Sequence, residues 1–136
     1  MGLLLLAVIP SVAAFSLHGF SWPPGSQIQM HLQLTRPPVV LQDGSSSWNA
    51  SAADALAAWN QYLVTVSFAE GAGAGPAADD GANSVFFSNT IYAEPFPTGV
   101  LAVTLNYSHT AGTFTETDII FNNSMKWNSY RGPIQG

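Results

Sequence analysis

The sequence predicts an α/β fold, a twisted mixed five-stranded sheet with a long helix on one face, and three observations carry that expectation. Ile28, Met30, Leu32 and Leu34 alternate with Gln27, Gln29, His31 and Gln33, the period of a strand with one buried side. Trp48, Ala52, Leu56, Trp59 and Leu63 recur at spacings of three and four, the period of a helix with one apolar stripe. A second alternating run, Val64, Val66 and Phe68, follows at once. Strand, helix, strand in that order predicts a crossover joining two parallel strands of one sheet.

The elements follow in chain order. Leu3 to Ile9 is apolar but too short to span a bilayer, which takes about 20 residues. Small residues at Val12-Ala13-Ala14 follow it, so residues 1–14 are expected to be a signal peptide and the chain to be secreted or extracytoplasmic. No later segment reads as a membrane anchor. Trp22-Pro23-Pro24-Gly25 is a turn, and Pro37-Pro38 stops the first strand. His31, on the polar side of that strand, is expected to be solvated. The helix is expected over 47–63, with Ser51 and Asp54 matching a capping box or an earlier start at Ser47 or Asn49. Its tryptophans are expected in the core.

Residues 70–82, rich in Gly, Ala and Asp, read as a loop in which Asp79-Asp80-Gly81 forms a solvated turn. Ser84 to Ser88 is the third strand, and residues 93–99 are irregular. Val100–Tyr107 and Thr113–Asn122 are two strands joined by a hairpin-sized connection. Glu116 and Asp118 share a strand face, and the pattern predicts one exposed and the other bonded to backbone N–H groups.

Composition excludes several functions. At 136 residues the chain suits one domain. Only 8% of residues are charged, the net charge is −5, and the cations Arg36, Lys126 and Arg131 are scattered. Nucleic acid is therefore not an expected partner, since its phosphates require a basic footprint. There are no cysteines, so neither a thiol nucleophile nor a disulfide framework exists. His18, His31 and His109 lack ligand spacing, and no H-E-x-x-H, P-loop or G-x-S-x-G is present. Taken alone, composition and spacing stop at a secreted α/β domain.

Two stretches go further. Gly99-Val100-Leu101-Ala102-Val103-Thr104-Leu105 resembles the G-x-L-A-H-A-F edge-strand segment of the matrix metalloproteinases and related matrixins. Thr117-Asp118-Ile119-Ile120-Phe121-Asn122-Asn123-Ser124-Met125-Lys126-Trp127 resembles, without a gap, their G-D-A-H-F-D-D-D-E-K-W segment. The opening strand, the Ala55-Leu56-x-x-Trp59 helix and the V-x-F strand agree in order, so the resemblance covers roughly residues 20–131 and looks most like the secreted matrixin-like peptidases, which are metzincins.

The resemblance implies that residues 15–136 are the N-terminal part of a zinc metalloendopeptidase domain. It also implies that an extended peptide or protein substrate pairs with an edge strand at Gly99, Val100, Leu101 and Ala102. Family positions that hold structural zinc are Val103 and Ile120 here, and two acidic calcium positions are Asn122 and Met125. Zinc favours imidazole or thiolate and calcium favours carboxylate oxygen, so no metal site is carried over. The catalytic H-E-x-x-H-x-x-G-x-x-H helix is expected after the Trp segment and is not among these residues, so the chain as given is expected to be inactive and to bind no zinc. The alternative expectation is a non-enzymatic secreted binding module with a peptidase-like shell.

Overall fold

A computed structural model describes residues 19–36, 40–73 and 75–130. The expected signal peptide and the C-terminal Arg131–Gly136 lie outside the described residues. Strands β1 (Gln27–Gln33), β2 (Ser67–Gly71), β3 (Asn83–Ser88), β6 (Ala102–Tyr107) and β7 (Glu116–Asn122) form one sheet in the order β2-β1-β3-β7-β6. Helix α1 (Trp48–Asn60) connects β1 to β2, and β4 (Thr90–Ile91) with β5 (Glu94–Pro95) forms a separate small hairpin. The first four strands of the large sheet pair parallel, and β6 joins β7 antiparallel, which makes the expected mixed five-stranded sheet.

Strand alternation decides what each face carries. Ile28, Met30, Leu32 and Val85 form the buried apolar cluster on the helix side, with Phe87, Ile119 and Phe121 packed against it. On the opposite side lie Phe86 and Ile120, adjacent in register, with Ile120 completely buried. His31 shares that second side and is half-buried, not solvated. Its ring lies so close over the backbone of Gly71 and Gly73 that a Cβ at either glycine would collide with it.

The helix is tied to the sheet by hydrogen bonds at both ends. Ser47, in extended conformation, caps it by accepting from the Ala50 N–H at 3.0 Å. Ser51 has another role from the capping box expected of it, donating to the Asp43 carboxylate at 2.7 Å. Desolvation pushes the Asp43 carboxyl up, but the combined hydrogen bonds from Ser45, Ser51 and Ser129 outweigh it and hold the group well below its usual range. At the second residue of the helix, the Asn49 carboxamide donates to the Leu32 carbonyl and accepts from the Leu34 N–H, both at 2.8 Å. At the far end, Asn60 does the same to β2, donating to the Phe68 carbonyl at 2.8 Å and accepting from its N–H at 2.7 Å. A carboxamide carries a donor and an acceptor side by side, so each asparagine stands in for one residue of a neighbouring strand.

Packing under the helix is incomplete. No residue of α1 is buried, and Trp59, expected in the core, is 61% exposed. Between the helix and the sheet lies an apolar hollow of about 670 Å³, walled by Leu32, Leu56, Trp59, Phe68, Phe87 and Phe121 among others. Val64 is 95% exposed, because the second strand begins only at Ser67, where parallel register with Gln27 is established.

Asn49 holds the helix start in place while satisfying the last backbone groups of β1. Asn49→Ala leaves the Leu34 N–H and Leu32 carbonyl without these partners, so a loss of about 1–3 kcal/mol is expected. A urea titration checks it: the midpoint should fall with an unchanged slope, as for a purely energetic change.

Candidate functional site

Two features stand out: an open sheet edge along β6, and a pair of buried acids at the start of β7. The edge is the simpler. Leu101 accepts a hydrogen bond from the Asn122 N–H at 2.8 Å, and Tyr107 accepts from the Thr115 N–H at 3.0 Å. Backbone groups alternate in direction along an antiparallel pair, so Leu101, Val103, Leu105 and Tyr107 address β7. Ala102, Thr104 and Asn106 therefore turn their N–H and C=O groups to the outside. Among the described residues no strand pairs with them there.

The opposite edge is partly blocked. On β2, Asn60 occupies both outward groups of Phe68, and Glu70 adds a charge of the kind that discourages strand addition. Strand β6 has the sequence Ala-Val-Thr-Leu-Asn-Tyr, without charge, proline or glycine.

The four residues expected to bind substrate occupy the approach to this edge. Gly99 is a turn residue at φ +80°, a conformation that suits glycine, and Val100 donates back to the Pro97 carbonyl at 3.1 Å. The Val100 and Leu101 carbonyls are both taken by Asn122, through its side-chain amide at 2.9 Å and its backbone N–H at 2.8 Å. Of the four, Ala102 alone lies within the strand and presents outward groups, and the structure adds Thr104 and Asn106 to it. Period-two alternation in the sequence marks the strand, but only the pairing partner fixes which alternate residues face out.

Asn122 stands where the resemblance placed an acidic calcium ligand. Its side-chain oxygen accepts from the Ser124 N–H at 3.1 Å and the Ser124 hydroxyl at 2.7 Å, while its backbone carbonyl accepts from Trp127 Nε1 at 2.8 Å. Arg36 braces the same turn, its guanidinium 3.4 Å from the Asn123 and Met125 carbonyls and stacked 4.8 Å from the Phe87 ring centre. This donor set does not fit calcium, since the oxygen is already engaged and Met125 offers only a thioether. Nor do Val103 and Ile120 fit zinc: they are directly paired across β6 and β7 and offer only hydrocarbon. Among the described residues no three His, Cys, Asp or Glu side chains gather into a metal-holding group, and no helix is long and apolar enough to cross a membrane.

The acids differ from expectation in being buried together. Glu116 is 1% and Asp118 0% exposed, and both bond backbone N–H groups. Glu116 accepts from the Asp79 N–H at 2.9 Å and the Gly81 N–H at 2.5 Å, which anchors the 79–81 loop over the sheet. Asp118 accepts from the Ser84 N–H at 2.9 Å and from the Tyr92 hydroxyl at 2.6 Å. Tyr92 and Ala93 are the two central residues of the β4–β5 turn, both at positive φ, where Asn-Gly is usual. The Asp118 bond holds Tyr92 in this costly conformation. Desolvation, together with the neighbouring Asp118 charge, pushes the Tyr92 hydroxyl well above its usual range and raises that of Tyr107 as well.

Desolvation, then a proton shared with Asp118 and the Asp118 charge, raise the Glu116 carboxyl against the opposing pull of the Gly81 and Asp79 N–H groups. The outer rim of this loop is fixed by an exposed contact between His109 Nε2 and Asp79 at 2.8 Å, of little energetic weight.

Comparisons with protein-family models, with curated proteins and with solved structures found no match to this chain. The fold and its edge therefore stand on the geometry alone.

A raised carboxyl binds its proton more tightly in the folded state than in the unfolded chain. The stability it contributes is complete below the ordinary value of 4.5 and is lost as pH rises through the raised value. Thermal melts from pH 4 upward should show that decline, and Glu116→Gln should flatten it while lowering the plateau, because one loop N–H then loses its acceptor.

Proposed function

We propose that this chain is the N-terminal, substrate-aligning part of a matrixin-like zinc metalloendopeptidase, in which β6 receives an extended peptide as an added strand. The observation that carries the proposal is the open edge at Ala102, Thr104 and Asn106, set against an opposite edge that Asn60 blocks at Phe68. Main-chain hydrogen bonds supply affinity in such strand addition and flanking side chains supply selectivity. Asn122 supports the arrangement by clamping the Val100 and Leu101 carbonyls, so the approach to the edge is fixed before any peptide arrives.

The order of elements supports the same reading, with β6 at the edge where the resembling segment belongs. So does the apolar hollow beneath α1, which is the kind of surface a further amphipathic helix would fill. Among the described residues no three His, Cys, Asp or Glu side chains gather to hold a zinc, so in this reading hydrolysis would depend on residues outside them. This chain's contribution is to bind the peptide backbone and fix its direction.

Two measurements test the reading. The coding sequence beyond codon 136 should contain H-E-x-x-H-x-x-G-x-x-H in frame, and a stop codon with no such helix would leave a binding module without peptidase chemistry. The chain by itself should bind a hydrophobic dye at the hollow under α1, and a sharp melt with no dye signal would show that surface to be already covered.

A further inference from the structure

The edge that would accept a peptide is also complementary to itself. Antiparallel pairing of β6 with the β6 of a second copy, about a two-fold axis at Thr104, sets Thr104 opposite Thr104 and Ala102 opposite Asn106. All three residues turn their backbone groups outward, so every one of these pairs is a hydrogen-bonded pair with two bonds, about six in all. Threonine directly across from threonine is a favourable cross-strand pair. On the sheet face that carries Ile120, the same axis sets Val103 opposite Leu105 and Leu101 opposite Tyr107. Leu101 is 53% exposed, and this pairing covers it with an aromatic ring.

No charge opposes the contact, because β6 carries none, and no proline or glycine blunts the edge. A closed two-fold contact uses the same patch on both subunits, so each outward residue of β6 meets another outward residue of β6 and no charge is brought against its like.

We propose that β6 pairs with β6 of a second copy of this chain, joining two five-stranded sheets into one continuous sheet and occluding the peptide-accepting edge. This rests on the edge being open, as the peptide-aligning reading does, and adds a regulation to it: self-association and peptide binding compete for Ala102, Thr104 and Asn106.

The absence of cysteine gives a direct test. In a hydrogen-bonded antiparallel pair the facing Cα atoms lie about 5.5 Å apart, within the span a disulfide bridges. Under oxidised glutathione, Thr104→Cys should cross-link into a covalent dimer, whereas Thr65→Cys, equally exposed but away from β6, should not. Sedimentation of the unmodified chain should show a concentration-dependent dimer that Thr104→Lys, placing two like charges across the axis, returns to monomer. A chain that is monomeric throughout the micromolar range overturns the proposal. So does a dimer in which the two cysteine variants cross-link equally, since that contact would use another face.

Added extended peptide separates this proposal from the one it rests on. Peptide that binds a strictly monomeric chain, protecting the Thr104 and Asn106 amides from hydrogen exchange, sinks self-pairing alone. A β6-linked dimer that no peptide dissociates or protects keeps self-pairing and sinks the peptide-aligning reading.

Discussion

The structure depends on the asparagine carboxamide used as a substitute for backbone. Every strand end exposes N–H and C=O groups that must find partners, and in a chain so poor in charge there are few ionic groups to supply them. Four asparagines do so with both ends of the amide. Asn49 completes β1, Asn60 closes β2, Asn83 bridges the Gln29 carbonyl to the Thr117 N–H, and Asn122 ties the approach of β6 to the turn after β7. No residue of α1 is fully buried, although Trp48, Ala52, Ala53 and Leu56 pack partly against the core, and the two asparagines near its ends add hydrogen bonds that hold it to the sheet.

The same economy explains the two contrasting faces. On the helix side the core is hydrocarbon, with the residues of β1 and β3 buried but the space between them and α1 unfilled. On the other side, buried polarity is tolerated because each acid oxygen is met by a backbone N–H or a hydroxyl, so desolvation is offset by geometry. The strained Tyr92–Ala93 turn, the 79–81 loop and the start of β7 are then one connected unit held by Glu116 and Asp118. A change at either acid reaches segments more than 20 residues away in sequence.

Much of the large sheet was legible because strands with one buried face announce themselves by alternation. Strand β1 follows its alternation closely, and β7 occupies the last seven residues of its predicted run. The helix was legible too, although it ends at Asn60, and of its tryptophans Trp48 packs against the core while Trp59 is exposed. Periodicity shows which residues share a face, not whether anything covers that face. Strand β2 starts later than its valines suggest, since parallel register is set by β1 and not by local pattern. The β4–β5 hairpin lies partly in the stretch that reads as irregular, because Pro95 and the absence of Asn-Gly mask it. The open edge was legible in location but not in its outward residues, which only the pairing with β7 defines. The burial of both acids depended on N–H donors 37 and 35 residues from Glu116 and could not be seen locally. One long-range clue was present: Asn49 and Asn60 lie 11 apart, close to three helical turns, and so point the same way.

Reliance on amides also gives the fold a chemical clock. Hydrolysis of an asparagine side chain yields a carboxylate, which when ionised accepts hydrogen bonds but donates none. At Asn60 or Asn122 that single change would abandon a carbonyl and place a negative charge beside it. The molecule would thus age by unfastening at its strand ends, with its hydrocarbon core still intact, and heat would hasten this as it does for other thermolabile amides.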